Sequence, residues 1–215
     1  MIRKLMMVAA AAAMPLGVIA ATGGIATAKA LPTDASHDTV TCTGISGSVK
    51  FKPALTTSGS PSSSGTTSIK GALTGCTTNG GFSIVSNKVK GVLTSTSTHA
   101  CTGLAGITQE TGTLTVTWKA SVKLVSKTST ITIHTAQGGA DNTATHANFK
   151  IPGSPGGTNS SVSGSFAGNN GGASSTTDAN SVETLAAIGA SCGAKGLKAI
   201  TLANPTDGHP AAFLG

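Results

Sequence analysis

Gly189-Ala190-Ser191-Cys192-Gly193 spells G-x-S-x-G, the spacing that lifts a nucleophilic serine onto a tight turn. Asp207 and His209 follow it in the chain order Ser, Asp, His. A serine nucleophile needs a base beside it and donors aimed at the oxyanion. The motif also needs a strand-to-helix turn in a parallel sheet, and this chain shows no alternation of strands and helices. Asp207 and His209 are only two residues apart, an awkward spacing for one to orient the other. The expectation is therefore a Gly-rich turn at Gly189–Gly193, tied down by Cys192, in which Ser191 does no catalysis. A secreted serine hydrolase remains the third-ranked reading.

The other reactive side chains point the same way. The histidines His37, His99, His134, His146 and His209 form no HxH or HExxH pair. His134 alternates with Ile131 and Ile133 and so should face away from them. The acids Asp34, Asp38, Glu110, Asp141, Asp178, Glu183 and Asp207 are dispersed, whereas glycoside hydrolysis needs two facing carboxylates. The Gly-rich runs lack the lysine and helix context of a phosphate loop. No catalytic, cofactor-binding or metal site is expected, and no cofactor.

Four cysteines remain: Cys42, Cys76, Cys101 and Cys192. No CxxC or Cys/His pair stands at zinc spacing. An even count in an exported chain reads as disulfides, and four cysteines allow three pairings. Cys42 opens the first strand run and Cys76 closes the next. If those strands are antiparallel neighbours, their far ends coincide and the sulfurs can meet. That pairing leaves Cys101 with Cys192. Leu73-Thr74-Gly75-Cys76 has the form of a lipobox, but it lies far downstream of any apolar leader, so a strand ending at a disulfide is the preferred reading.

The export reading rests on the first thirty residues. Arg3 and Lys4 precede an uncharged, small-apolar stretch from Leu5 to about Ala28, which ends in the pairs Ala26-Thr27-Ala28 and Ala28-Lys29-Ala30. This is the charge, apolar core and A-x-A order of a secretory signal peptide. Residues 1–30 are expected to be cleaved, leaving 31–215 as one secreted β-domain with flexible loops and a C-terminal tail. That product would carry 11 lysines, no arginine and 7 acids, a net charge of 11 − 7 = +4 against +7 for the whole chain. Its lysines are scattered along the sequence and its aromatics are few, so no nucleic-acid partner is expected. No transmembrane segment is expected in the mature chain.

The elements that must position these residues are short strands. Charged residues make up 10% of the chain and Ser, Thr, Gly and Ala dominate; sparse charge with β-branched Thr and Val is the reverse of a disordered composition. Strands are expected over Thr41–Lys52, ended by Pro53, then over Ser68–Cys76, with one or two more over Phe82–Ser97. Further strands are expected at Gly112–Lys119, Ser121–Thr135, Ala147–Ile151, Ser161–Phe166, Val182–Ile188 and Leu197–Leu202. Thr56–Thr67 and Asn169–Ala179 read as loops, and Asn204–Gly215 has no clear period. Leu114, Val116 and Trp118 share one face at period two, which makes the single tryptophan a core anchor rather than a ligand platform. Ile69-Lys70-Gly71-Ala72-Leu73-Thr74 is echoed by Val89-Lys90-Gly91-Val92-Leu93-Thr94, as two strands of one hairpin system would be. About nine or ten strands without a helix indicate an all-β, single-domain antiparallel β-sandwich or barrel with two disulfides.

The runs CTGISGSVKFKPALTTSGS, SIKGALTGC, GTLTVTWK and VSGSFAG, spread over roughly residues 42 to 202, resemble a group of uncharacterised secreted proteins of actinobacteria. The resemblance implies an exported, disulfide-bonded β-domain and no particular activity. The leading expectation is a non-enzymatic extracellular or cell-envelope protein with a binding or structural role, its partner unknown. A barrel carrying a small apolar ligand is the alternative.

Overall fold

Among the described residues, ten strands pair into one antiparallel sheet that curls into a half-barrel, with one α-helix beside it. The structure is a computed structural model and describes residues 30–57, 65–95, 100, 101, 104, 110–140, 143–151, 160–168 and 176–215. The signal-peptide reading, His99 and Asp141 lie outside the described residues.

The elements run β1 (Val40–Leu55), β2 (Thr66–Thr78), β3 (Ile84–Ser95), β4 (Glu110–Ala120), β5 (Thr128–Ala140), β6 (His146–Ile151), β7 (Ser160–Gly164), β8 (Thr176–Thr184), α1 (Leu185–Ala194), β9 (Leu197–Ala203) and β10 (Ala212–Leu214). β1 to β5 are sequential antiparallel neighbours. β5 carries β6 on one half of its free edge and β7 on the other; β6 then pairs β8. β8 pairs both β9 and β10, and each of these returns to β1. The run of strand pairings therefore comes back to β1, while β7 pairs β5 alone.

The echoed hexapeptides explain themselves in this register. Ile69, Lys70 and Gly71 oppose Gly91, Lys90 and Val89, so each large inward residue faces a glycine. Gly91 also faces Leu114 on β4, and a Cβ there would run into the Leu114 side chain and the Thr113 carbonyl. The two glycines thus let neighbouring strands interleave large and small side chains. Gly75 has φ +61°, a left-handed value that disfavours other residues, and a Cβ there would strike Thr43 Oγ1. This irregularity lies opposite the point where β1 changes phase: Val40 and Cys42 are buried at even positions, Val49 and Phe51 at odd ones. In the same stretch β1 exchanges its edge partner, β10 at 40–42 for β9 from Gly47 onward.

Buried side chains gather in two clusters. The larger holds Val89, Leu93, Leu114, Val116, Trp118, Ile131, Ile133, Val162, Phe166 and Leu214 among others. Trp118 is 2% exposed, packs edge-on to Phe166 at 5.1 Å, and donates its indole N–H to Ser129 Oγ at 2.8 Å. The expected core face is therefore the observed one. The second cluster lies where β1, β8 and β9 meet α1, with Phe51, Leu55, Ala147, Ala179, Ile188, Cys192, Leu197 and Ile200.

Several expectations are corrected. The strand expected over Ser121–Thr135 begins only at Thr128, and β8 starts at Thr176, inside the stretch read as a loop. Val182–Ile188 is not one strand: β8 ends at Thr184, whose Oγ1 caps α1 by accepting from Ala187 N–H. Ile188 and Cys192, four apart, form the helix's buried face, a period that the surrounding Gly, Ala and Ser obscure. Pro53 does not end β1, which runs on to Leu55. Its pairing with β9 shifts register between Lys50 and Leu55, where the missing proline N–H needs no ladder partner. The tail is not without structure, since it forms β10, in which Ala212 and Leu214 are buried, as is Ala211 before it.

Candidate functional site

The G-x-S-x-G segment lies inside α1 rather than on a turn. Ser191 and both glycines are exposed on the helix, and Cys192 turns inward. Ser191 contributes its backbone carbonyl to the helix C-cap, accepting from Lys195 N–H at 3.4 Å. Asp207, its presumed partner by chain order, is engaged elsewhere: Oδ2 meets Lys150 Nζ at 3.1 Å and Oδ1 accepts from His209 N–H. The structure therefore does not bring Ser191, Asp207 and His209 into a triad.

Asp207 instead joins a polar cluster built on β6 and β8. On β6 and β8, Asn148 is directly opposite Asn180 and Lys150 is opposite Asp178. Asn148 Nδ2 donates to Asp178 Oδ1 at 2.6 Å and to Asn180 Oδ1 at 2.8 Å. Asn180 Nδ2 reaches Thr206 Oγ1 at 3.0 Å, and Lys150 Nζ reaches Asp178 Oδ2 at 3.0 Å. Asn148, Asp178 and Asn180 are buried, so each polar group needs the partner it has. The hydrogen bond to Asp178 chiefly raises the Lys150 ammonium above its ordinary value, with Asp207 adding to it. Desolvation alone would raise the Asp207 carboxyl. The His209 N–H and the Lys150 ammonium overcome it and hold Asp207 below the usual carboxylate value. The arrangement clasps the 204–209 segment onto two strands; it has two carboxylates on one charged amine and no open coordination set. In the sequence the clasp was missed because Asn148-Phe149-Lys150 and Asp178-Ala179-Asn180 each alternate polar with apolar, yet only the strand register makes them complementary.

Glu110 is a second isolated feature. It opens β4 opposite the buried Ser95 and accepts a hydrogen bond from buried Thr67 Oγ1 at 2.9 Å. Burial pushes its carboxyl above the ordinary value, against the opposing effect of Thr67. His134 is exposed, as its alternation implied, His146 is half-buried, and Glu183 accepts from Thr201 N–H and Oγ1. Among the described residues no three His, Cys, Asp or Glu side chains stand together as a metal site, and no helix is long and apolar enough to cross a membrane.

The cysteines form both expected bonds. Cys42 and Cys76 are directly opposed on β1 and β2, with Cα atoms 3.9 Å apart, so the sulfur of the lipobox-like segment is engaged. Cys192 on α1 is bonded to Cys101, with Cα atoms 6.3 Å apart. The second bond ties the segment between β3 and β4 to the helix. A scan against protein-family models and searches of curated proteins and of solved structures find no match to this chain.

Proposed function

We propose that this chain is an exported β-domain protein that acts outside the cytoplasm, in the envelope or beyond it, by binding or structure rather than by chemistry. The observation that carries the reading is that all four cysteines are paired and no thiol is free. Such bonds persist in oxidising compartments. The leader-like first thirty residues and the resemblance to secreted actinobacterial proteins point the same way. The placement of Ser191 on an exposed helix face, with Asp207 held by Lys150, supports a non-catalytic role. The carrier reading needs room inside the sheet. The inward Leu114, Val116, Trp118, Ile131 and Phe166 are each at most 4% exposed and packed together, which favours an outer binding surface.

The test is fractionation of an actinobacterial culture expressing the full chain, followed by N-terminal and non-reducing peptide mass spectrometry. Material starting at Lys29 or Leu31, oxidised, in the medium or wall fraction is the expected result. A chain with intact Met1 and free thiols confined to the cytoplasm overturns it.

A further inference from the structure

The lysines that look scattered in the sequence are gathered by strand alternation. On β1 to β4 the inward positions hold Val49, Phe51, Leu73, Val89, Leu93, Leu114, Val116 and Trp118, all buried. The outward positions hold Lys50 and Lys52 on β1, Lys70 on β2, Lys88 and Lys90 on β3, and Lys119 on β4, all exposed. Lys70 is directly opposite Lys90. Lys50 is opposite Ser68, one step diagonal from Lys70, and Lys119 is opposite Ser86, one step from Lys88. Six of the 11 lysines after residue 30 thus share one face of four adjacent strands. None of the six meets a carboxylate among the described residues. The only acid on these strands, Glu110, is bonded to buried Thr67. Like charges directly opposed across a strand pair destabilise a sheet, and among the described residues no carboxylate offsets them. The gaps between the lysines are filled by hydroxyls, and the β4 row Thr113, Thr115 and Thr117 continues on β5 as Thr132, Thr130 and Thr128. From the level of Lys52 to that of Lys119 the array runs about 27 Å along the strands and about 14 Å across them, at ordinary strand rise and spacing.

We infer that this face binds a linear anionic polysaccharide. Lysine ammoniums act as point charges for spaced anionic groups, and threonine and serine hydroxyls both donate to and accept from sugar hydroxyls. The face has no arginine and no aromatic ring, the residues that read or stack on nucleic-acid bases. The large apolar residues exposed on β1 to β4 are Val85 and Val92, too few to enter a membrane. Protein interfaces deplete lysine at their centre, where this face concentrates it. The inference takes the binding reading above one step further and rests on it for its setting. It is tested on purified, oxidised protein, so that a failure of export and a failure of binding are seen separately.

The experiment is titration of the folded protein with polygalacturonate across a sodium chloride series, with uncharged dextran, poly(dT) and phosphatidylglycerol vesicles in parallel. Saturable binding to polygalacturonate and none to dextran is expected. Lys70→Gln/Lys90→Gln should weaken that binding about tenfold or more at low salt and reduce the slope of log affinity against log salt by about two. Lys123→Gln/Lys195→Gln, which removes the same charge from outside these strands, should stay within about twofold by the same reasoning. Lys88→Gln/Lys119→Gln repeats the test if the first pair fails to fold. Absence of binding, an equal loss in the Lys123/Lys195 variant, or tighter binding to poly(dT) or to vesicles overturns the inference.

Discussion

Trp118→Ala should remove a large part of this protein's stability. A tryptophan buries up to about 250 Å², which at about 25 cal/mol per Å² sets an upper bound near 6 kcal/mol. The unfolded chain already buries some of that area, and emptied aromatic sites measure about 3–5 kcal/mol. The site offers little room for collapse: Phe166 sits edge-on at 5.1 Å and is fully buried, and Val116 is 1% exposed. The indole N–H also bonds Ser129 Oγ, whose own hydroxyl donates to the Ser165 carbonyl. Trp118→Phe keeps the ring contact and loses the bond, so it should cost roughly 1–2 kcal/mol, from the hydrogen bond and the smaller ring. Urea unfolding of the oxidised protein, followed by circular dichroism, gives both values. At about 2–4 °C per kcal/mol for a chain of this size, Trp118→Ala should lower Tm by roughly 6–20 °C. Because Trp118 is the only tryptophan, native emission reports this site alone and should be blue-shifted, moving red on unfolding. Red-shifted native emission together with a loss below about 1 kcal/mol, a surface-substitution value, would refute the core assignment.

Four further outcomes follow from particular contacts. Gly189→Ala and Gly193→Ala place a Cβ that meets nothing within 4 Å, so each should stabilise α1 by about 0.5–1 kcal/mol in thermal melts. A turn at this segment would give no gain. Removing Cys101–Cys192, which spans 91 residues, should cost about 4.6 kcal/mol and removing Cys42–Cys76, which spans 34, about 3.8, by loop closure; paired Cys→Ser variants in urea test the order. Glu110 titrates above its unfolded value, so its contribution to stability is full below that unfolded value and is lost as pH rises through the folded one. Glu110→Gln should therefore raise stability at neutral pH and flatten that part of the pH profile. Asp207 has the opposite sign: its contribution is present above the unfolded carboxylate value and is lost as pH falls through the lowered folded one, and Asp207→Asn should abolish that acid limb while loosening residues 204–209 to hydrogen exchange.

Much of the sheet could be read directly because its strands obey period two with one buried face. Leu114, Val116 and Trp118, or Val89 and Leu93, announce their orientation without reference to any partner. The disulfide pairing followed from strand order alone, since Cys42 and Cys76 end adjacent antiparallel strands. What escaped notice depends on quantities a single segment does not carry. α1 has only Leu185, Ile188 and Cys192 to mark its inner side, in a stretch whose glycines argue for a turn. β10 is three residues long and acquires its identity from the edges of β1 and β8. The Lys150 clasp needs the pairing Lys150↔Asp178 before its residues become neighbours.

The lysine face makes the same point with the opposite consequence for function. A net charge is a sum over the surface and says nothing about how charge is laid out. Alternation sorts each strand's residues into two sets, so isolated lysines at even positions of β1, β2 and β3 and at an odd position of β4 reach one side once the register is set. The register itself is fixed by the other set, because a one-residue slip would carry Val89, Leu93, Leu114 and Val116 to solvent and bury the ammoniums. The apolar face thus specifies the charged one. A chain with few charges spread thinly along its length can therefore present a dense cationic array, without a carboxylate partner among the described residues, held in place by a core in which each of the two buried clusters holds a whole disulfide, Cys42–Cys76 in one and Cys101–Cys192 in the other.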